Sequence, residues 1–450
     1  MGCSSRCHRN GGQVPHRTLR QACSLCISLA VSRGLFSLCM IGVYCLLIGC
    51  DAPIDRFGEN AIFAKRLELT DGVELDVPVK DSAALLEEWF GTPDTPRWPE
   101  FLGGAGGELV SLGRLQQASG AFSSDEEGKH VGLFREHCVV CHGVSGDGLG
   151  PSASLLNPYP RDFRAGKFKY TSTPIGKKPT REDLHRLLEH GIVGTSMPSF
   201  RLLDEEEREA LVDYVIFLSV RGELERKLLA EAALELDIEG GDRLYDPRLR
   251  ESDPEEFEDS LASLEKSAKR IVKGWSEASQ YVTPVPEYPW ADLSDVPATS
   301  VANGRKLFQG NVASCSFCHG AEARGDGQQN NYDDWTRDWT VLAGLNPKEK
   351  SEIQPMLDLG ALKPRNIFPR NLQLGVFRGG GSPEDLYRRI VNGIEGSPMP
   401  AAPMQPGNSQ GLTEGDVWDI VNFLMSLNQQ QVGSQQVASQ AETRSEGGQG

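Results

Sequence analysis

The feature of this sequence that most constrains its fold is a pentapeptide pattern, C-x-x-C-H, that occurs twice. One copy covers residues 138–142 (CVVCH) and the other covers residues 315–319 (CSFCH). Two cysteines three positions apart lie on one face of a helical turn, and the histidine follows them directly in both copies. The folded chain must therefore bring two thiols and an imidazole to one surface at two separate places.

This spacing is the signature of a covalently attached c-type haem. The two thiols can reach the two vinyl groups at one porphyrin edge, while the histidine points at the iron. A zinc site or a redox dithiol is the alternative, but a C-x-x-C pair without a second thiol pair is a poor zinc cage. We therefore predict two covalently bound haems c (iron), one held by Cys138, Cys141 and His142 and the other by Cys315, Cys318 and His319.

The other cysteines all lie in the first fifty residues. Of eleven cysteines, seven precede residue 51 and the remaining four belong to the two motifs. Residues 35–49 (LFSLCMIGVYCLLIG) form an apolar run that is preceded by arginines, and no acidic residue occurs before Asp51. This pattern predicts an export signal. Its end, residues 47–50 (LIGC), resembles the bacterial lipobox, which implies that Cys50 is lipidated and becomes the mature N-terminus.

An uncleaved transmembrane helix is the alternative for this segment. Its run of about 15 apolar residues is shorter than the roughly 20 that a membrane span needs. We therefore favour a lipid anchor at Cys50, where a diacylglycerol supplies more than one acyl chain. Cleavage would also leave no thiol outside the haem motifs, which suits a protein matured outside the cytoplasm. We expect the protein on the periplasmic or extracytoplasmic face of a bacterial membrane.

The predicted mature chain is strongly acidic. Loss of residues 1–49 removes five of the 46 basic residues and leaves 41 against 63 acidic residues, a net charge near −22. This charge argues against nucleic acid as a partner. It would steer a basic electron-transfer protein toward the surface, or it would serve solubility alone.

The sequence repeats itself around the two motifs. Residues 183–198 align with residues 385–400 at a constant offset of 202, with eight identities. A Gly-Asp-Gly at residues 146–148 aligns with another at residues 325–327. The repeat therefore predicts one order of elements in each unit, namely an opening helix, the motif, a Gly-rich loop, a middle helix, a methionine loop and a final helix. The second unit also contains an insertion, residues 328–364, which we expect to cover a haem edge.

The final helices have clear N-terminal signals. Asp204 with Glu207, and Thr413 with Asp416, have the spacing of a capping box, and apolar residues follow them at helical intervals. The two opening helices each carry a Leu-Phe pair shortly before the motif. The sequence thus predicts that a helix opens and a helix closes each unit.

This order of elements resembles the class I cytochrome c family, over about residues 121–222 and 298–428. The resemblance implies an all-α fold in which two tandem class I cytochrome c-like domains are joined by a helical, acidic connector. The predicted organisation is a lipoprotein signal peptide (1–49), an N-terminal tether (50–120), cytochrome c domain 1 (121–222), the connector (223–297), cytochrome c domain 2 (298–428) and a disordered tail (429–450).

The resemblance also implies a histidine and a methionine as the axial ligands of each iron. These positions are His142 with Met197 and His319 with Met399, and both methionines lie in Gly-x-x-Met-Pro loops. A thioether opposite histidine raises the reduction potential relative to two histidines. Met404 is the alternative ligand for the second haem.

Four further residues are candidates near the haems. Arg161 and Arg370 occupy matching Pro-Arg dipeptides, and a guanidinium fits a haem propionate in bidentate geometry. A solvated arginine beside a proline turn is the alternative at both positions. His185 and His190 are the alternatives to Met197, but both fall on the predicted middle helix, where a polar or packing role is the simpler interpretation.

Three functions compete. The favoured one is a membrane-anchored dihaem cytochrome c that passes single electrons between a redox protein donor and an acceptor in an extracytoplasmic respiratory chain. The second is a dihaem cytochrome c peroxidase, which needs a releasable distal ligand and an acid/base group. Both units offer the same Met-Pro loop, and no distal His or Glu stands out. The third is a haem subunit of a larger respiratory or dehydrogenase complex.

Overall fold

The computed structural model describes residues 55–103, 109–124, 126, 128–405 and 410–427. The predicted signal peptide, Cys50 and the tail at 429–450 lie outside these residues. Within the described ranges, no helix combines the length and the apolar character that crossing a membrane requires. The described residues are mostly helical, as the sequence predicts.

The helices follow one another in a regular order along the chain. They are α1 (Ala61–Asp71), α2 (Asp76–Phe90), α3 (Leu112–Ala118), α4 (Leu133–His137), α5 (Val139–His142), α6 (Arg181–His190), α7 (Glu205–Glu235), α8 (Leu249–Ser252), α9 (Pro254–Ser276), α10 (Ala298–Gln309), α11 (Cys315–His319), α12 (Asp334–Trp339), α13 (Lys350–Asp358), α14 (Pro383–Asn392) and α15 (residues 414–427). Short 3₁₀ turns occur at Glu100–Leu102, Ala153–Leu155, Phe163–Ala165, Ala278–Tyr281, Leu293–Asp295, Val341–Ala343 and Leu372–Leu374.

The all-α prediction misses one small sheet. Strands β1 (Ser123–Ser124) and β2 (His130–Val131) pair antiparallel just before the first motif. Gly132, with φ +78°, then turns the chain into α4. Because the hairpin takes up this sequence, the first opening helix has only five residues, whereas its counterpart α10 has twelve.

Two main apolar clusters organise the described residues. One draws on side chains from residues 57–275 and the other on side chains from residues 285–427. We call these ranges the first half and the second half. In the first, Phe134 of the opening helix meets Tyr214 of α7 at 4.9 Å between ring centroids. In the second, Phe308 meets Phe423 of α15 at 5.3 Å. An aromatic residue of the opening helix therefore packs on the final helix in both halves.

Helix α7 runs without a break through the predicted boundary between residues 222 and 223. Asp204 and Glu207 form the predicted capping box at its start, and the box at Thr413 and Asp416 is also present. Gly222 lies within this helix, and its missing side chain makes room for Arg164, which would lie 2.4 Å from a Cβ there. The closing helix of the first half and the start of the connector are therefore one 31-residue helix.

The N-terminal segment packs along α7. Phe63 and Leu67 of α1 cluster with Leu229, and Phe90 of α2 meets Phe217 at 5.9 Å between ring centroids. These contacts bury apolar side chains of α7 that would otherwise be exposed to water. The predicted tether is thus a set of packed helices over its described length.

The insertion of the second half packs on the first half. Trp339 and Met356 cluster with Ile62 of α1 and with Leu149, which follows the first motif. The carboxylate of Asp338 accepts bonds from arginines of α1 and α7 at 2.6 and 2.9 Å. The insertion therefore joins the two halves through apolar and ionic contacts close to the first motif.

Candidate functional site

The first motif lies on a helical turn made by α4 and α5. The His142 amide donates to the Cys138 carbonyl at 2.8 Å, so the two cysteines and the histidine share one turn. Cys138 is buried in the first apolar cluster, and burial raises the pKa of its thiol to about 12. Cys141 Sγ lies 3.3 Å from the Ser152 hydroxyl. We call the surroundings of this motif the first site.

The first-site histidine is fixed by a backbone carbonyl. His142 Nδ1 lies 3.0 Å from the carbonyl oxygen of Arg161, so Nδ1 carries the proton and the lone pair of Nε2 is left available to bind a metal. Burial lowers the pKa of His142 to about 4, which keeps the imidazole neutral at physiological pH. Phe163 stacks on the ring at 4.5 Å between centroids with 20° between the planes.

The second motif repeats this arrangement, and we call its surroundings the second site. His319 Nδ1 lies 3.2 Å from the carbonyl oxygen of Arg370. Burial lowers the pKa of His319, and burial raises the pKa of the Cys315 thiol to about 11. Leu372 holds the position that Phe163 holds in the first site, two residues after the arginine. The predicted cysteines and histidines thus come together at both motifs.

The Gly-rich loops pair differently from the sequence alignment. The Gly148 amide donates to the His142 carbonyl at 2.9 Å, and the Gly325 amide donates to the His319 carbonyl at 2.8 Å. Gly325 therefore matches Gly148, and the predicted pairing of the two Gly-Asp-Gly runs is wrong by two residues. The counterpart of Gly146 is Ala323, which adopts φ +57°. Hydrogen bonds to the motif decide this register, and they do not depend on matching side chains.

The two methionine loops have the same backbone hydrogen bonds. An amide five residues upstream donates to the methionine carbonyl at 3.1 Å for Met197 and 3.0 Å for Met399. The methionine amide donates to a hydroxyl two residues before it, Thr195 at 3.1 Å and Ser397 at 3.3 Å. Both loops are therefore held in one conformation by identical contacts.

Glycine is required where each loop begins. Gly191 and Gly393 have φ of +65° and +70°, and a Cβ there would lie within 2.8 Å of the carbonyl oxygen of the loop methionine. Met404, the alternative for the second site, lies elsewhere. It packs against the second apolar cluster, in a bridge with Leu412. Met399 and not Met404 thus has the surroundings of Met197.

The two alternative histidines lie on α6, as predicted. His190 is exposed, and its Nδ1 lies 3.2 Å from the carbonyl oxygen of Arg186. His185 is half-buried, and its Nε2 has no hydrogen-bond partner. Its counterpart in the repeat is Tyr387, which packs on Trp418 at 4.5 Å between centroids.

Basic side chains of the two halves form a cluster. Burial, with Arg161 and Arg378 nearby, lowers the pKa of the Lys169 ammonium to about 8. Buried Nε atoms without a hydrogen-bond partner occur on Arg370, Arg378, Arg388 and Arg389. The sequence predicted Arg161 and Arg370 of this cluster but not its other members, although the Arg388-Arg389 pair is a visible signal.

These unpartnered nitrogens bear on whether haem fits the site. A buried cationic donor is costly unless an anion accepts from it. The carboxylates of a haem are such acceptors, and arginine binds carboxylates strongly. Among the residues described, no group of three His, Cys, Asp or Glu side chains is placed to hold a bare metal ion. The thiols, the free Nε2 atoms and the basic cluster together fit haem c.

Comparison with known proteins identifies a domain around the first motif. Residues 126–215 match the family model of cytochrome c oxidase, cbb3-type, subunit III, and this range is a class I-like c-type cytochrome domain. Such a domain binds haem c covalently, transfers electrons through it and works with redox protein partners. No curated protein matches the sequence. A chain of the reducing HAO-like protein complex of Kuenenia stuttgartiensis is 24% identical over 68% of this chain and 97% of that chain, with a TM-score of 0.38, too low for a comparison of folds.

Proposed function

We propose that this protein is a dihaem cytochrome c that relays single electrons between redox proteins on the extracytoplasmic face of a bacterial membrane. It would act as a separate carrier in a respiratory chain or as a subunit of a larger complex. One observation carries the proposal. The second motif repeats the hydrogen bonds of the first, from histidine Nδ1 to a carbonyl at 3.0 and 3.2 Å and from glycine to the histidine carbonyl at 2.9 and 2.8 Å.

The iron ligands of this proposal are His142 with Met197 and His319 with Met399. The Nδ1 bonds support the histidines, because each bond leaves Nε2 free and orients the ring. The matched loops support the methionines, because the same backbone bonds hold both. A haem held between histidine and methionine exchanges one electron at a raised potential.

The chain's own groups prepare each site for this exchange. The carbonyl that accepts from histidine Nδ1 makes the imidazole more electron-rich and fixes its tautomer. Apolar side chains such as Phe163 exclude water from the histidine side of the first site. The same hydrogen bonds hold both methionine loops, and we call this conformation closed. Two closed loops favour an electron relay over a peroxidase, because a peroxidase needs one iron whose distal ligand can be released.

The basic cluster is proposed to hold the haem propionates. Arg161 and Arg370 were candidates from the sequence, and the unpartnered Nε atoms of Arg378, Arg388 and Arg389 support a wider set. Buried guanidinium groups gain most from carboxylate partners. The propionates of both haems would then point toward the boundary between the halves.

The membrane anchor in this proposal is Cys50. Its support is the sequence alone, namely the arginine-rich start, the apolar run and the LIGC end. Cys50→Ala should release the mature protein from membranes into the soluble fraction, while Cys45→Ala, inside the apolar run, should leave the mature protein membrane-bound. Membrane association of the Cys50→Ala protein would contradict the anchor.

The number of haems is the decisive test of the proposed function. We expect the protein purified from a host that matures c-type cytochromes to contain two covalent haems per chain, by haem absorbance and intact mass. The pair Cys138→Ala/Cys141→Ala and the pair Cys315→Ala/Cys318→Ala should each leave one. One haem in the unaltered chain would reject the dihaem proposal.

The same preparation tests the methionine ligands. Met197→Ala and Met399→Ala should each remove about half of the methionine-to-iron charge-transfer band, because each removes one of two axial thioethers. Met404→Ala is the control and should retain the full band. Loss of the band with Met404→Ala, and its retention with Met399→Ala, would assign the second ligand to Met404.

A further inference from the structure

Arg161 contacts both sites. Its carbonyl oxygen lies 3.0 Å from His142 Nδ1 in the first site. Its guanidinium extends to Gly396, which belongs to the methionine loop of the second site. A Cβ built on Gly396 would lie 2.9 Å from Arg161 Nη1 and 3.0 Å from Nη2. The absence of a side chain at Gly396 thus lets the guanidinium rest on the loop that carries Met399.

Arg370 has the reciprocal arrangement. Its carbonyl oxygen lies 3.2 Å from His319 Nδ1 in the second site. A Cβ built on Gly194, in the methionine loop of the first site, would lie 3.4 Å from Arg370 Nη2. Arg378 adds a hydrogen bond to the Gly194 carbonyl at 3.0 Å. Each arginine thus holds the histidine of one site and contacts the methionine loop of the other.

Polar contacts between the halves fix the surfaces on which these arginines lie. Arg186 pairs with Asp385 at 2.8 Å, and the Asn392 side-chain amide donates to the Ser172 carbonyl at 3.1 Å. The Glu395 carboxylate, next to Gly396, accepts from the Gly176 amide at 2.6 Å. The crossing arginines are therefore part of an extended interface within the chain.

We propose that Arg161 and Arg370 are reciprocal positioning residues that couple the two sites. Each backbone carbonyl orients the histidine of its own site, and each guanidinium stabilises the closed methionine loop of the other site. This inference rests on the proposed dihaem function. Opening of one methionine loop, and with it replacement of the methionine by an outside ligand, is then controlled by an arginine from the opposite half.

Imidazole binding to the ferric protein measures this control, one site at a time. In a Met399→His background, only the first site offers a methionine for imidazole to replace. There, Arg370→Gln should raise the imidazole affinity roughly tenfold, or about 1.4 kcal/mol, since the loop loses its guanidinium contact. In a Met197→His background, Arg161→Gln should do the same at the second site. The backbone carbonyls remain in both variants.

Arg270→Gln, at an exposed arginine of α9, is the matched control and should leave both affinities unchanged. The coupling is wrong if Arg370→Gln changes the imidazole affinity only at the second site, or changes it no more than the control does. In that case, two haems per chain would leave the proposed function standing. A single haem per chain would overturn both.

Gly396 provides an independent check. Gly396→Ala should displace the Arg161 guanidinium and raise imidazole affinity at the second site, and adding Arg161→Gln should have little further effect, because both changes break one contact. Gly344→Ala is the matched control, since Gly344 has a similar φ of +73° and nothing lies within 4 Å of its added Cβ. Additive effects of Gly396→Ala and Arg161→Gln would contradict the contact.

Discussion

The first and second sites share a backbone framework and differ in the side chains that cover it. Phe163 is buried and stacks on His142, while Leu372 in the equivalent position is half-buried. Gly146 in the first loop is replaced by Ala323 in the second, with the same positive φ. The shared hydrogen bonds to backbone carbonyls therefore orient both histidines in the same way, whereas the apolar side chains that cover them differ.

The two halves also differ in how much chain surrounds them. Helices α1 and α2 pack on α7, and the insertion of the second half adds a further cluster beside Leu149. The second half has the smaller apolar cluster of the two. Most of the additional structure therefore packs on the first half.

The largest expected effect concerns the residue on the histidine ring. Phe163→Ala should reduce the free energy of unfolding by about 3–4 kcal/mol, because it leaves a cavity beside His142. Leu372→Ala should cost only about 1 kcal/mol, since this side chain is half-exposed and smaller. Chemical denaturation of the haem-loaded protein measures both. Equal losses would show that the two sites are covered equally well.

Smaller effects on the free energy of unfolding, opposite in sign for the two sites, are expected from substitutions in the Gly-rich loops. Gly146→Ala should destabilise by about 2 kcal/mol, since φ is +67° and the new Cβ would lie 2.9 Å from the Phe163 ring. Ala323→Gly should stabilise by about 0.5 kcal/mol, because relief of the left-handed conformation outweighs the entropy of the unfolded chain. Denaturation midpoints that move in the same direction for both variants would contradict the revised register of these loops.

The smallest expected effect concerns the insertion. Asp338→Asn weakens ion pairs with Arg66 and Arg226 and should cost about 1 kcal/mol, with faster proteolysis of residues 328–364. Glu265→Gln is the control, because it affects only a pair with Lys269 along one helix and should cost about 0.3 kcal/mol. A proteolysis rate unchanged by Asp338→Asn would mean that apolar packing alone holds the insertion.

Local patterns predicted the parts of the fold that depend on nearby residues. The capping boxes before α7 and α15 were visible because a cap needs only residues three positions apart. The pairing of Met197 with Met399 was visible because the repeat keeps a constant offset through α6 and α14. The same reasoning misaligned the Gly-rich loops, because it matched two identical Gly-Asp-Gly tripeptides. The true register is set by hydrogen bonds to the motif histidines, which are visible only in the structure.

Contacts between distant residues were not predictable. The sequence suggested Arg161 and Arg370 for their guanidinium groups, but their carbonyl oxygens hold the histidines, and any residue type could supply a carbonyl. The continuity of α7 across residues 222 and 223 was also missed, and there Gly222 leaves room for Arg164, 58 residues earlier in the chain. Both contacts join residues that are distant along the chain.

Residue spacing along the chain predicts haem chemistry at the two motifs, the order of elements around them and the loop that carries each methionine. These features follow from covalent spacing and helical periodicity, which act over a few residues. Only the tertiary structure decided that each arginine crosses to the other site and that the insertion packs beside the first motif. Those contacts depend on folding, which brings together surfaces of the two halves that lie about 200 residues apart in the chain.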